Sequence, residues 1–265
     1  MSGFQLAQVQ AERYEATTSR FMDGSAALLA ASAAIQPGDS VLDLACGTGL
    51  LARHAWRAAT PGGRVVGTDI NPAMLAVAER VGPQGIEWVE APAHSQPFPD
   101  SSFDHVLCQQ GLQFVPDAAT AITECLRVLR PGGVLRATIW ATGGRTPYIE
   151  TQLELLAMLD ARLFPSLRVA APDDGAGVLA GWAREAGRAD TTIDLIEHEV
   201  AIADLRTFVF EQTLSTPWGP TIEQLPDEQR REFVDGLVDE LEPYRGADGV
   251  HRLPFAAFRL DITSL

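Results

Sequence analysis

Short apolar runs alternate with amphipathic segments through the middle of the chain, and this pattern predicts an α/β fold. The runs are short enough for buried strands and lie at 40–45, 64–69, 86–90, 103–108 and 134–140. Segments with helical periodicity separate them, at 48–59, 72–81 and 117–129. Strands that alternate with helices predict a parallel sheet with right-handed crossovers and helices on both faces.

The flanking parts of the chain are less regular, but they carry further elements. Residues 4–35 have helical spacing, and later segments predict helices at 147–162 and 176–187, strands at 191–200 and 254–263, and a helical stretch at 203–243. No internal repeat or low-complexity linker divides the chain. We therefore predict one domain over 1–265, with a helical cap (1–35), a ligand-binding core (36–141) and a substrate-side half (142–265) that contains a helical insertion at about 203–250.

Composition removes several classes of function. The net charge of −15 disfavours nucleic acid as a partner. All 20 basic residues are arginines, which excludes Schiff-base, pyridoxal-phosphate and lysine-dependent P-loop chemistry. The three cysteines and five histidines show no metal-ligand spacing, so we expect no metal. Without a signal-peptide pattern or a membrane-length apolar run, the expectation is a cytoplasmic protein with no membrane contact, as a monomer or homodimer.

A glycine-rich turn follows the first predicted strand, in Val41-Leu42-Asp43-Leu44-Ala45-Cys46-Gly47-Thr48-Gly49. Glycines let the backbone turn sharply and approach a ligand, and the next helix presents its N-terminus there. Asp69 ends the second strand, 20 residues after Gly49, where an acid accepts hydrogen bonds from a ribose. This pattern fits a dinucleotide or another nucleoside ligand.

Asp43 separates the two ligand classes. A carboxylate just ahead of the turn would repel a pyrophosphate, whereas it would attract the ammonium group of an amino acid. The residues therefore favour a nucleoside joined to a zwitterionic amino acid, and S-adenosylmethionine is such a molecule.

Further motifs follow in a characteristic order. They are Asp43-Leu44-Ala45-Cys46-Gly47-Thr48-Gly49, Asp69, Pro97-Phe98-Pro99-Asp100 with Phe103-Asp104, and Leu129-Arg130-Pro131-Gly132-Gly133. Over residues 40–140 the chain resembles class I S-adenosylmethionine-dependent methyltransferases, in particular the ubiquinone/menaquinone-biosynthesis-like (type 11) group. The resemblance implies a Rossmann-like, mostly parallel seven-stranded sheet in the order 3-2-1-4-5-7-6, with strand seven antiparallel. It also implies S-adenosylmethionine as cofactor and S-adenosylhomocysteine as product.

The resemblance also implies a set of cofactor-binding residues. Asp43 would lie near the methionine ammonium, Asp69 would bind the ribose hydroxyls, and Ile70 and Met74 would pack on the adenine. The full set is Tyr14, Asp43, Ala45, Gly47, Thr48, Gly49, Asp69, Ile70, Met74, Pro92, Ala93, His94, Cys108, Gln109 and Gln113.

The loop after the third strand departs from the family pattern. The family's usual Asp-Ala pair, which holds the adenine edge, falls on Pro92-Ala93. Proline offers no side-chain acceptor. Ala93 still has its backbone N–H and His94 follows it, whereas Glu90 is a weaker substitute.

The sequence predicts methyl transfer to a small-molecule acceptor through a carbon, nitrogen or oxygen atom, in a biosynthetic or secondary-metabolic role. Trp140 and Tyr148 are the expected substrate wall, from a wider aromatic set that includes Phe208, Phe210, Trp218 and Phe255. No residue stands out as a general base, and His198 and His251 are weak candidates. Two alternatives stay open: a non-methylating cyclisation, decarboxylation or rearrangement that uses the same cofactor, and, as a weaker alternative, an NAD-dependent oxidoreductase.

Overall fold

A computed structural model, which describes residues 6–160 and 164–265 and no side chains at 164–166, places the predicted apolar runs in one sheet. Its strands are β1 (Ser40–Leu44), β2 (Arg64–Asp69), β3 (Ile86–Glu90), β4 (Phe103–Gln109), β5 (Leu129–Trp140), β6 (Thr192–Ile202) and β7 (His251–Thr263). The order across the sheet is β3-β2-β1-β4-β5-β7-β6. β1 pairs in parallel with both β2 and β4, and β7 is antiparallel to β5 and β6. The predicted fold class, strand order and antiparallel seventh strand are confirmed.

Helices connect and cover these strands. They are α1 (Gln8–Ala16), α2 (Thr18–Ser32), α3 (Leu50–Ala59), α4 (Pro72–Val81), α5 (Ala118–Val128), α6 (Pro147–Leu159), α7 (Phe164–Ala170), α8 (Gly175–Glu185), α9 (Leu205–Leu214), α10 (Gly219–Glu223) and α11 (Asp227–Leu241). Local sequence explains where α4 begins: Asn71 accepts a hydrogen bond from the Ala73 N–H, and Pro72 occupies the first helical position. Helix α4 therefore has the predicted bounds.

Apolar side chains leave both faces of the sheet, because alternate strand residues point to opposite sides. Val41 packs with α2 and α3 on one face. Its neighbour Leu42 belongs to a separate cluster with residues of α5 and α8. This arrangement buries β1 on both faces and makes it the centre of the molecule.

The start of one strand differs from the prediction, which placed it at 134, after the helix at 117–129. The run Arg130-Pro131-Gly132-Gly133 belongs to the long strand β5 instead of preceding it. The reason is a pairing with the end of the chain: Gly132 N–H donates to the Ser264 carbonyl, and Ser264 N–H donates to the Gly133 carbonyl. Because this partner lies over 130 residues away, local sequence did not indicate it.

The two N-terminal helices meet α9 and α10, which lie between β6 and β7. The Thr18 and Ser215 hydroxyls are 2.6 Å apart and share a hydrogen bond. Arg13 forms an ion pair with Glu223. The N-terminal helices also reach the core, since the Ser19 hydroxyl lies 3.0 Å from that of Thr48. Parts of the chain that are distant in sequence are thus brought over the ends of β1 and β4.

Three glycines accommodate the ring of Trp88, which extends from β3. A Cβ atom at Gly49 or Gly67 would lie inside the contact distance of this indole, and one at Gly82 would lie 2.9 Å from its Cζ2 atom. Gly49 also has φ +79°, a left-handed conformation that disfavours other residues. These glycines are therefore required by packing.

We expect Gly67→Ala to lower the free energy of unfolding by roughly 1–3 kcal/mol, because the added methyl group overpacks against Trp88. Chemical denaturation measures this loss. The matched control is Gly181→Ala, where nothing lies within 4 Å of the added Cβ in the interior of α8, so the change should be neutral or slightly stabilising. Equal stability of Gly67→Ala and the wild type would contradict the packing argument.

Candidate active site

A cavity opens at the carboxyl ends of the parallel strands, which is where open α/β sheets bind ligands. It encloses about 1630 Å³ of atom-free space, part of which is open to solvent. Its walls include residues that directly follow β1, β2, β3 and β4, and the last residue of β5, Trp140. Helices α1, α2, α6 and α9 close the other side.

The turn after β1 approaches the cavity through an unusual backbone path. Ala45, Gly47 and Gly49 all have positive φ angles, of +54°, +54° and +79°. For alanine this conformation is strained, and such strain persists only where the surroundings enforce it. Here Cys46 N–H donates to the Thr68 carbonyl and Gly49 N–H donates to the Cys46 carbonyl. The turn is therefore held by β2 as well as by its own sequence.

Asp43 is the penultimate residue of β1 and faces the cavity from a buried position, with 1% of its surface exposed. Its Oδ2 atom accepts a hydrogen bond from the Ala52 N–H, in the first turn of α3, at 2.8 Å. Burial raises the pKa of Asp43 to about 8, and the charge of Asp69 adds to the increase. A cation placed beside this carboxyl group would favour its ionised form.

Asp69 ends β2 and supports the same turn. One carboxylate oxygen accepts the Gly47 N–H and the other accepts the Asn71 N–H, each at 2.8 Å. Burial raises the pKa of Asp69, while these backbone hydrogen bonds act in the opposite direction. Each oxygen has a second lone pair, so the carboxylate has acceptor capacity left for hydroxyl groups of a ligand.

The loop after β3 and the start of α4 form the next part of the wall. Met74 lies buried close to Gly47, and Ile70 is an exposed apolar side chain with 47% of its surface accessible. Pro92, Ala93 and His94 also line the cavity, whereas Glu90 does not. The Pro92 carbonyl is already bonded to the Gln96 side chain. This wall is apolar and offers few hydrogen-bonding groups to a flat base.

Most of the predicted site residues lie on the cavity wall. They are Tyr14, Asp43, Ala45, Gly47, Thr48, Asp69, Ile70, Met74, Pro92, Ala93, His94, Gln109 and Trp140. The structure thus brings together residues predicted from six separate segments. Their binding roles remain a prediction.

Four predicted residues are not among those that line the cavity in the described part of the chain, and packing explains each case. Gly49 lies under the Trp88 ring. Cys108 is fully buried beneath Gly111, whose added Cβ would lie 2.8 Å from the cysteine sulfur. Gln113 turns toward Gln110 and donates to it at 3.0 Å. Tyr148 is fully buried, with its hydroxyl directed at Gln212.

Most of the remaining aromatic and histidine candidates also lie away from the cavity wall. Phe208, Phe210 and Phe255 are not on it, whereas Trp218 is. His198 lies on β6 within 3.0 Å of the Ser25 hydroxyl, and burial lowers its pKa. His251 begins β7 and is not on the wall either. Neither histidine is therefore positioned as a general base at this cavity.

Apart from Trp140 and Trp218, the sequence alone did not indicate the part of the wall that we name the substrate chamber. It comprises Thr18, Phe21, Met22, Trp140, Ile149, Gln152, Leu153, Ala170, Gln212, Thr216 and Trp218. These residues come mainly from α2, α6 and α9 and share no motif, so only the helical periodicity of their segments hinted at buried positions. Among the described residues the charged or ionisable wall positions are Tyr14, Asp43, Cys46, Asp69 and His94, none of them in the substrate chamber.

Two further features bear on the expectations for metals and membranes. Within residues 6–160 and 164–265, no three His, Cys, Asp or Glu side chains gather as a metal site would require. In the same ranges no helix is long and apolar enough to cross a bilayer. Both findings concern the described residues alone.

Comparison with known proteins relates the core of the chain to a protein family. Residues 42–137 match the family model described as a methyltransferase domain. The ubiquinone/menaquinone biosynthesis C-methyltransferase UbiE of Hahella chejuensis is 45% identical over 106 residues, which are 38% of this chain and 43% of that protein. The chain thus spans under half the length of the curated relatives it matches.

Solved structures agree on the fold across most of the chain. Phosphoethanolamine N-methyltransferase 2 of Haemonchus contortus, solved with phosphomonomethylethanolamine and S-adenosylhomocysteine, has a TM-score of 0.57 at 20% identity and covers 91% of this chain and 53% of its own. The [4+2]-cyclase SpnF has a TM-score of 0.50 at 20% identity and covers 92% and 82%. The fold, the motifs and the family match identify residues 42–137 as a class I S-adenosylmethionine-dependent methyltransferase domain. The resemblance seen in the sequence is confirmed.

We expect Asp43→Asn to raise the melting temperature of the ligand-free protein, and to raise it more as the pH increases. The unfolded carboxyl group ionises near pH 4 and the folded one near pH 8, so the wild type loses stability across this interval. The asparagine variant lacks this loss and can still accept the Ala52 hydrogen bond. Thermal unfolding at several pH values measures the difference, which should be near zero at pH 4 and largest at pH 8.

The control is Asp239→Asn, which changes an exposed carboxylate on α11. Its effect on the melting temperature should be small at every pH. A difference between Asp43→Asn and wild type that stays constant with pH would show that burial does not perturb this group.

Proposed function

We propose that this protein transfers a methyl group from S-adenosylmethionine to a small, uncharged molecule. The observation that carries the proposal is that an acid-lined glycine turn and an uncharged substrate chamber share the cavity at the strand ends. The turn suits the cofactor and the chamber suits an acceptor. Both ligands can therefore meet without crossing the protein.

The residues present fit this cofactor. The Asp43 carboxyl accepts one hydrogen bond from the protein, and the charge of Arg53 only partly opposes the effect of burial on its pKa, so an amino-acid ammonium would supply a further opposite charge. Asp69 would accept the ribose hydroxyls, and Gly47 and Thr48 would lie along the methionine part. Ile70, Met74, Ala93 and His94 would surround the adenine. The pyrophosphate of NAD would meet two carboxylates in this wall, which argues against the oxidoreductase alternative.

When bound, the cofactor supplies an electrophilic methyl group on a sulfonium centre. The tasks left to the protein are to hold the acceptor in line with that group and to exclude water. Phe21, Met22, Trp140 and Trp218 provide an apolar surface for this purpose. Because the substrate chamber contains no ionisable side chain, an acceptor that needs deprotonation would have to supply its own base or arrive ionised.

The named relatives support this proposal and leave the acceptor atom open. One is named a C-methyltransferase and another an N-methyltransferase. The SpnF structure bears a cyclase name on the same fold, so the non-methylating alternative remains an outcome of the test. A cytoplasmic location, a biosynthetic role and a monomeric or homodimeric state stay predictions.

We further propose that the cap (1–35) and the insertion (203–250) act together as a lid over the core (36–141), within one domain. Support comes from the contacts between them, the Thr18–Ser215 hydrogen bond and the Arg13–Glu223 ion pair. The cap also contacts the turn itself, through Ser19 and Thr48. Tyr14 on α1 brings the cap onto the cavity wall.

We expect S-adenosylmethionine and S-adenosylhomocysteine to raise the melting temperature of the purified protein, and NAD to leave it unchanged. Asp43→Asn should weaken binding of S-adenosylmethionine by about tenfold or more, because it removes the counter-charge of the ammonium. Titration calorimetry measures the affinity, with Asp239→Asn as the matched control. Stabilisation by NAD alone would overturn the proposal.

The reaction itself is tested with S-adenosylmethionine carrying an isotopically labelled methyl group and a library of small uncharged aromatic acceptors. We expect label in the acceptor and an equal amount of S-adenosylhomocysteine. An acceptor that is converted without S-adenosylhomocysteine would instead establish the non-methylating alternative.

A further inference from the structure

Four buried polar side chains form a network beside the substrate chamber. Tyr148 donates its hydroxyl hydrogen to the Oε1 atom of Gln212. The Nε2 group of Gln152 lies 2.7 Å from the same Oε1 atom and 2.8 Å from the Thr213 hydroxyl. All four residues are at most 4% exposed. Such a network holds its members in a single arrangement.

The orientation of both carboxamides follows from Thr213. Its hydroxyl donates to the Val209 carbonyl at 2.7 Å, so it can only accept from Gln152. Gln152 must therefore turn its Nε2 group toward Thr213 and toward Gln212. Gln212 must in turn present Oε1 to both Gln152 and Tyr148.

This arrangement leaves one acceptor and one donor unused. The Oε1 atom of Gln152 and the Nε2 group of Gln212 have no hydrogen-bond partner among the described residues. Both residues line the substrate chamber although they are only 2% and 4% exposed. A buried carboxamide without partners is unfavourable unless a ligand or water satisfies it.

The rest of the chamber narrows the chemistry of that ligand. Its other polar side-chain groups are the hydroxyls of Thr18 and Thr216 and the indole N–H groups of Trp140 and Trp218, and the Thr18 hydroxyl already bonds to Ser215. Among the residues that the structure describes, none of the chamber's side chains carries a charge that could compensate one on a ligand. A charged acceptor would lose its hydration with no opposite charge to replace it.

We propose that Gln152 and Gln212 are the specificity-determining pair for the acceptor, and that they select an uncharged, largely apolar molecule carrying a hydrogen-bond donor beside an acceptor. Lactams, amides and hydroxy-carbonyl compounds have this chemistry. This inference rests on the proposed function in one respect: the bound molecule is called the methyl acceptor. Gln212 Nε2 donates a hydrogen bond to the carbonyl oxygen of this molecule, and Gln152 Oε1 accepts one from its N–H or O–H group.

The test uses four bicyclic probes of similar size. They are 2-quinolone, with donor and acceptor adjacent; quinoline, with an acceptor only; naphthalene, with neither; and 2-naphthoate, which is charged. Titration against the wild type, with and without S-adenosylhomocysteine, should show 2-quinolone bound at least about tenfold more tightly than naphthalene and 2-naphthoate, with quinoline between. A site built around hydrogen bonds rejects analogues that lack them.

Two variants locate the effect. Gln212→Met and Gln152→Met keep the side-chain length and remove the polar groups, and each should reduce the preference for 2-quinolone over naphthalene by about tenfold. Naphthalene should bind each variant as tightly as the wild type or more tightly, because the unpaired polar groups are gone. S-adenosylhomocysteine affinity should stay within twofold of wild type, which also shows that the variants are folded. The control is Gln224→Leu, a glutamine in the same 203–250 insertion that is exposed and outside the chamber.

Equal binding of 2-quinolone and naphthalene by the wild type would overturn the proposal, as would tighter binding of 2-naphthoate. Unchanged preference in both methionine variants would overturn it too. These outcomes are distinct from failure of the proposed function, which would appear as absent S-adenosylhomocysteine binding while the probe preferences are still measured on the ligand-free protein.

Discussion

Two carboxyl groups at neighbouring strand ends hold the turn on which the candidate site depends. Asp69 receives the Gly47 and Asn71 N–H groups, and Asp43 receives the Ala52 N–H group. These bonds join the end of β2 to the turn after β1, and the end of β1 to the start of α3. The same two groups are partly or fully desolvated, so that a site suited to a cationic, hydroxyl-bearing ligand is also a site of raised carboxyl pKa values. The burial of these carboxyl groups costs stability, and such a cost is common in functional sites.

The cavity has two sides because two kinds of structural element build it. Loops at the strand ends present backbone groups, carboxylates and a flat apolar wall. Helices from the cap and from the C-terminal half present aromatic and aliphatic side chains, with glutamines as the main polar groups. Charge is thereby confined to one side. A ligand that carries charge and a ligand that carries none have separate, adjoining environments in which to bind.

Much of the cavity wall formed by the loops at the strand ends could be predicted from sequence, and some of it could not. The positions of Asp43 and Asp69 follow from the ends of apolar runs, and the strand order places them together. Gly49 and Cys108 show the limit, since the motif places them at the ligand whereas Trp88 and Gly111 occupy their surroundings in the fold. A motif shows that a small residue is required at a position. It does not show whether the residue is small for packing or for ligand binding, because both can require it. Tyr148 was also misplaced, because its ring is buried and only its hydrogen-bond partners, Gln152 and Gln212, reach the chamber.

The sequence by itself determined the elements of this protein, the parallel core and the nature of its nucleoside site. Local periodicity, helix caps and closely spaced glycines and acids are sufficient for these, because they act over a few residues or along one strand. Only the tertiary structure decided the substrate chamber. Phe21, Gln152, Gln212 and Trp218 lie on helices far apart in sequence and converge through the packing of the cap and the insertion. Neighbours such as Thr213 decide which polar atoms of Gln152 and Gln212 are hydrogen-bonded within the protein, and no local pattern specifies that outcome.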